Sequence, residues 1–323
     1  MSAFDSLSSE PRLLIEATLK PIQGHRFQPT GFADLGPARF TGPDGSEMLL
    51  VESAQSVANR LELSVYDSST ADLIPELTGL PYVKVLDKNK TLLTNTILEA
   101  HRLNSPYILG ASDGQIKKRL EEDFGNLAER PIDFRIVAKT LFRLDPNSLL
   151  HGCFFPDLDG RLRITRAVTG FIEATGVRPA ESGGVKNDRV NQSGDTAKGF
   201  GNVPYSRTEF TASHLSAFFN IDLALLRGYG LPKEATDLLI ALALLKIQRF
   251  LQSGLRLRTA CDLDLVELKS TKPVSFAFPD AVKLLEVSKS LIGKCASHFE
   301  SPAVTVVHYT QEIIKKEKKA KAK

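Results

Sequence analysis

The chain has 323 residues, 42% hydrophobic and 24% charged, a globular balance that excludes wholesale disorder, a coiled coil and a collagen-like repeat. Its net charge of +3 is misleading: Lys315 to Lys323 holds six lysines against Glu317, and that +5 leaves −2 on the rest. Polyanion binding by the body must therefore come from charge arranged on one face, because the total supplies no steering field, and the tail reads as a solvated arm.

From the N-terminus, Arg12 to Pro21 alternates, with Leu13, Ile15, Ala17 and Leu19 on one face, which predicts a half-buried strand. Pro21 to Gly45 carries nine Gly or Pro in twenty-five residues and includes the run His25, Arg26, Phe27, so a long loop follows. Ser53 is a good N-cap for a helix whose Ala54, Val57, Ala58, Leu61 and Val65 share one face. Residues 70 to 155 form an α-rich insertion. It opens with a hairpin of Tyr82 to Leu86 and Thr91 to Thr94, followed by helical patterns near Ile97 to Leu103, Gln115 to Phe124 and Pro131 to Arg143. Leu149 to Phe155 and Leu162 to Ala174 have strand composition, with Pro156 to Gly160 as the turn between them.

Gly176 to Arg207 is a polar run with six glycines and predicts a flexible protrusion, since a structureless loop of that length is either functional or disordered. Beyond it, Phe210 to Asp222 is strand-like, Pro232 to Ser253 is a long apolar helix stopped by Gly254, and Leu255 to Leu265 alternates with Arg256 and Arg258 facing outward. A helix from Pro279 to about His298 and a strand from Ala303 to Tyr309 finish the chain. Without the insertions the order is strand, helix, strand, strand, helix, strand. That is the ferredoxin-like or RRM pattern of an α+β fold.

Catalytic motifs are scarce. The sequence contains no Walker A, HExxH, GxSxG or post-strand GxGxxG run. Asp262 and Asp264 could ligate a metal, or form a solvated edge balanced by Arg256 and Arg258. Cys153, Cys261 and Cys295 are too far apart for a disulfide framework or a CxxC site, which suggests buried thiols in a reducing compartment. No apolar run approaches a membrane span and Met1 to Arg12 lacks a signal-peptide core, so a cytoplasmic location without membrane contact is expected. No cofactor is implied.

Two features suit RNA binding without sequence choice. Ser53, Gln55, Ser56, Asn59 and Arg60 stand near a helix N-terminus, where free N–H groups and the dipole favour a phosphate; alternatively the serines only cap and Arg60 is an ordinary solvated charge. The protrusion carries Arg178, Lys186, Arg189, Lys198 and Arg207, which could track a strand's phosphates, or it is a disordered loop without a partner. Its only aromatics are Phe200 and Tyr205, so base stacking on it would be sparse.

The run RLLIEATLKPIQGHRFQPTGFADLGPARF, followed by LLVESAQSVANRLE, resembles the RAMP-superfamily (Cas-seven family) backbone subunit of CRISPR Cascade complexes of type I-G, formerly I-U. The similarity extends through LEAHRLNSPYI, RAVTGFIEATGV, SAFFNIDLALLRGYG and SGLRLRTACDL, and SAQSVANR is similar to the Ser-x-Gln-Ser-x-x-x-Arg form of other type I backbone subunits. The resemblance implies a right-hand architecture. An RRM-like palm would comprise residues 12–66, 148–177 and 208–309, with α-rich fingers at 67–147, a Gly-rich thumb at 178–207 and a Lys-rich tail at 310–323. It also implies that His25, Arg26, Ser53, Gln55, Asn59 and Arg60 hold guide phosphates, and that the thumb folds over the guide and reaches a neighbouring copy.

Such a subunit is no enzyme; it presents CRISPR RNA for pairing with target DNA, so sequence choice belongs to the RNA. The implied partners are further copies, the large subunit, the five-prime and three-prime end-binding RAMP subunits and a recruited helicase-nuclease. One departure is that only Gly228 and Gly230 hint at the C-terminal glycine-rich loop of many RAMP proteins. A second reading is a RAMP endoribonuclease of precursor or target RNA, for which Asp34, in the loop after the first strand, or His25 would be required.

Overall fold

The alternation after Arg12 becomes β1 (Leu13–Pro21), with Leu13, Ile15, Ala17 and Leu19 buried and the residues between them half-exposed. The computed structural model describes residues 4–32, 34–125, 131–156 and 162–311; the Lys-rich run 315–323 and most of the expected turn at 156–160 lie outside them. Two compact units emerge, one of Met1–Val65, Val168–Ala224 and Ile240–Leu285, the other of Tyr66–Ala167, Leu225–Leu239 and Glu286–Lys323.

In chain order, β1 is followed by β2 (Arg39–Thr41), β3 (Glu47–Glu52) and α1 (Ala54–Leu63). The second unit then includes β4 (Tyr82–Leu86), β5 (Leu92–Asn95), α2 (Gln115–Phe124), α3 (Phe134–Leu144) and α4 (Pro146–His151). The chain continues as β6 (Val168–Thr175), β7 (Arg178–Lys186), β8 (Val203–Thr211), β9 (His214–Ile221), α5 (Lys233–Ser253), β10 (Arg256–Arg258), β11 (Cys261–Lys272), α6 (Ala281–Cys295) and β12 (Val304–His308).

The first unit is built on a seven-stranded sheet in the order β10-β11-β1-β9-β6-β3-β2, antiparallel throughout. In the register Ala17 faces Ala217, which faces Ile172, so the small and β-branched residues of three strands form one apolar surface. Val57, Ala58 and Leu61 of α1 are buried, and the helix packs on β6. Phe250 of α5 meets Phe219 of β9 edge to face at 6.3 Å. Gly170 belongs to this buried surface, because a Cβ there would lie 2.5 Å from the Phe219 ring. On the opposite face Phe171 and Phe218 are half-exposed, their rings 5.3 Å apart.

The second unit has a three-stranded sheet, β12-β4-β5, in which β12 runs parallel to β4. Its helices are locally specified. Asp133 caps α3 by accepting from Arg135 N at 2.9 Å, and buried Asp145 caps α4 and accepts the Ser148 hydroxyl at 2.7 Å.

The architecture is mixed α+β, as expected, but several local expectations require correction. Ile97 to Leu103 is not helical: Arg102 has φ +52 and starts a single 3-10 turn, and its buried guanidinium donates to the Gly152 carbonyl at 3.1 Å. Leu149 to His151 is helix instead of strand, because Pro146 follows the Asp145 cap in the first turn. The loop after β1 contains β2, and β3 follows it, a strand that the sequence reading did not anticipate. Gly176 to Arg207 is an ordered antiparallel hairpin of β7 and β8, in register from Arg178 opposite Thr211 to Lys186 opposite Val203.

Two glycine substitutions should act in opposite directions. Gly170→Val should lower stability by about 1–3 kcal/mol through overpacking against Phe219. Gly293→Ala, in α6 with no atom within 4 Å of the added methyl, should raise it by up to about 1 kcal/mol. Denaturant midpoints at constant m-value would check both.

Candidate nucleic-acid interface

α1 starts where a cap is available: Ser53 Oγ accepts from Ser56 N at 3.3 Å. On its exposed side Gln55 Nε2 donates to Asn59 Oδ1 at 3.3 Å, one turn away. The other two candidates on this helix point elsewhere. The Ser56 hydroxyl donates to Glu52 Oε1, and Arg60 Nε donates to the same oxygen at 3.1 Å.

Glu52 ends β3 and is 1% exposed. Its second oxygen accepts from Arg258 Nη2. Arg60 Nη2 reaches on to the Leu257 carbonyl at 2.6 Å, while Arg258 Nη1 donates to the Gln28 carbonyl at 2.9 Å and both Arg258 Nη atoms lie 3.3 Å from the Val51 carbonyl. Arg258 is therefore a strut joining three segments, which corrects the expectation that it faces outward. Two guanidiniums share one carboxylate, so the group keeps one net positive charge, and both arginine side chains remain about a quarter exposed.

A second group repeats this arrangement. Glu209 of β8, also buried, takes Arg207 Nη2 at 2.6 Å on one oxygen and Arg26 Nη1 at 3.3 Å on the other. Arg26 Nη1 also lies 3.4 Å from Ser182 Oγ on β7. The two groups are connected through three consecutive residues: Arg26 binds Glu209, Phe27 exchanges both backbone bonds with Phe210 at 2.9 Å, and Gln28 receives Arg258. Sequence reading had placed the loop, the helix and the protrusion separately; here they form one cationic track, beside a polar cavity of about 370 Å³ lined by Gln28, Thr30, Thr208 and Arg258. His25 is exposed next to it.

The hairpin carries the remaining candidates into solvent. Arg178, Lys186, Arg189 and Lys198 are exposed, Lys198 lying 3.7 Å from Asp195. The tip is ordered by Asp188, whose Oδ1 accepts from Val190 N at 2.8 Å and Asn191 N at 3.0 Å and whose Oδ2 accepts from Gly201 N at 2.9 Å. The N–H groups of Asn191, Val190 and Gly201 hold its carboxyl below the usual range. Gly201 has φ +78, and a Cβ there would strike the Gly194 carbonyl oxygen at 2.5 Å. The tip exposes Val190, Phe200 and, further down, Tyr205.

Of the other sequence candidates, Cys261 adjoins the track through a hydrogen bond with Arg258. Among the described residues no group of three or more His, Cys, Asp or Glu could hold a metal ion. Asp264 is 3.7 Å from Lys20, not from an arginine. Burial pushes the thiols up, Cys153 to about 12 and Cys261 and Cys295 to about 11, so none is a nucleophile at neutral pH. No helix among the described residues is long and apolar enough to cross a membrane. Glu52, Glu209 and the strut role of Arg258 were missed: Glu52 and Arg258 are 206 positions apart, whereas Arg60 and Arg207 stand close in sequence to the glutamates that hold them.

A family model described as CRISPR-associated protein GSU0053 matches residues 13–179, more than half of the chain. No curated protein matches. Similar solved structures include a chain of a "CRISPR RNA-guided surveillance complex, pre-nicking", at 14% identity and TM-score 0.42, covering 80% of this chain and 77% of that one. A chain of a "CRISPR RNA-guided surveillance complex" aligns at 16% identity and TM-score 0.36 over 80% and 67%. Csc2 of Thermofilum pendens aligns at 10% identity and TM-score 0.31 over 92% and 80%.

Two measurements test this geometry. Glu52→Ala leaves two guanidiniums facing each other and should cost about 3–5 kcal/mol, the scale for breaking a buried pair, read from chemical denaturation. At the hairpin tip, a carboxyl held below its ordinary value of 3.8 accepts its bonds in full above that pH and loses them as pH falls through the lower folded value. The amide shifts of Val190, Asn191 and Gly201 should titrate together below pH 3.8, and Asp188→Ala should abolish that common transition.

Proposed function

Because the chain belongs to the CRISPR-associated GSU0053 family, we propose that it is the CRISPR RNA-binding backbone subunit of a type I-G Cascade interference complex. Copies polymerise along the guide and present it for pairing with target DNA. The observation that carries this reading is the track from Arg60 through Arg26 to Arg207, in which two buried glutamates fix four guanidiniums without cancelling their charge. Donors fixed before the ligand arrives suit phosphates, which position a nucleic acid without reading its sequence.

The four strands β11-β1-β9-β6, with α1 between β1 and β6 and α5 between β9 and β11, support a ferredoxin-like palm. The β7–β8 hairpin is its thumb and the second unit contributes the fingers. Arg26, Arg60 and Arg207, with His25, Gln55 and Asn59 beside them, face the guide; Ser53 and Ser56 shape the helix start, and Arg178, Lys186, Arg189 and Lys198 follow the strand along the hairpin. The role is non-catalytic and cytoplasmic. The large subunit, the two end-binding RAMP subunits and a recruited helicase-nuclease complete the assembly.

Expressed with a CRISPR array, the protein should purify as a ribonucleoprotein filament with a raised 260/280 nm absorbance ratio. Its affinity should fall steeply with salt, because each phosphate contact releases counterions. Alanine at Arg178, Lys186, Arg189 or Lys198 should each lower the log–log salt slope by about 1. A salt-insensitive monomer without RNA, or cleavage of the guide abolished by Asp34→Ala, would overturn the proposal.

A further inference from the structure

The turn between β1 and β2 carries a feature with no part in the cationic track. Leu35 is 82% exposed there, next to exposed Asp34, which makes no ion pair among the described residues. In the second unit, a cavity of about 430 Å³ is lined by apolar Ile136, Phe142, Leu231 and Pro232 and by polar residues that include Lys139 and Asp123. Ile136 is 46% exposed, so this apolar lining is open to solvent. The cavity's other cation, Arg143, is held by Asp123 at 2.7 Å and by Glu300 at 3.6 Å. Lys139 has no such partner among the described residues. The cavity therefore presents an apolar floor and one uncompensated positive charge, which fits an apolar side chain adjoining a carboxylate.

The chain itself offers that combination. Its four most exposed large apolar side chains, among the described residues, are Val190, Leu35, Val274 and Val282. Val190 follows Arg189, Val282 precedes Lys283, and Val274 lies between Pro273 and Ser275; of the four, Leu35 alone adjoins an acid. We propose that Leu35 of one copy seats in this cavity of a second copy, with Asp34 facing Lys139. Knob and cavity are different surfaces of one chain, so the contact is heterologous and can repeat from copy to copy. The inference rests on the reading that several copies lie along one guide, and names a contact between them.

The native cysteines are buried, so introduced thiols can be read without background. Full-length Leu35→Cys protein is mixed with Ile136→Cys protein in the presence of guide RNA and a mild oxidant. The expected product is a disulfide-linked dimer from the mixture and from neither variant alone. Asp34→Lys in the first partner should lower the yield by about fivefold, the upper range for an exposed ion pair, and Lys139→Glu in the second should restore it. Val190→Cys paired with Ile136→Cys tests the hairpin tip as the occupant instead. Guide-bound copies that give no dimer, or give one only through Val190, overturn the contact and leave the backbone-subunit reading standing. Protein that retains no RNA refutes that reading, and this contact with it.

Discussion

Glu52 is the constraint on which the first unit depends. A buried carboxylate is costly unless paired and hydrogen-bonded, and this one binds Ser56, Arg60 and Arg258 together. Those partners come from α1 and from β10, and Arg258 carries the connection to the loop after β1 through Gln28. A single acid thus ties the start of the helix, the sheet edge and the loop to one another. Placing the carboxylate in the interior and leaving the guanidiniums partly exposed separates the charges by depth. The surface presents cations whose positions are already fixed, so little side-chain entropy is lost when an anion binds.

Arginine is required in these places. Arg258 makes its four contacts with a planar fork aimed at two carbonyls and a carboxylate, a geometry that a lysine ammonium cannot reproduce. The Glu209 group is looser: Arg26 is 55% exposed and its contacts exceed 3 Å. One half of the track is therefore rigid framework, and the other retains side chains that can reorient.

Legibility in the sequence followed burial. β1, α1, α2, α3 and the β4–β5 hairpin bury mainly one face, so period 2 or 3.6 was written into the apolar residues, while α5, buried on nearly every side, was legible as one long apolar run. β7 and β8 bury almost nothing along most of their length. With both faces in solvent there was no alternation to read, and glycines such as Gly183, chosen because a Cβ would meet the Tyr205 carbonyl oxygen at 2.5 Å, looked like a flexible loop. The apolar spacing at Ile97 to Leu103 misled for the converse reason: Ile97 and Leu103 are buried while Leu98 is exposed, and Asn95 Oδ1 accepts from the amides of Ile97 and Leu98 at 3.0 Å, which holds the chain in a turn. At the site, the helix start and the basic residues could be found from sequence. Which arginines are held and which are available depended on Glu52 and Glu209, each of which joins a near neighbour, Arg60 or Arg207, to a remote one, Arg258 or Arg26.

The two backbone bonds between Phe27 and Phe210 have a mechanical meaning. The hairpin extends over nine register pairs, about 30 Å of strand, and Phe210 stands near its base, bonded to the residue after Arg26. The hairpin is thus a lever whose fulcrum is welded to the same loop that carries the track. A torque applied at the tip would be delivered through Phe27 to Arg26 and Gln28.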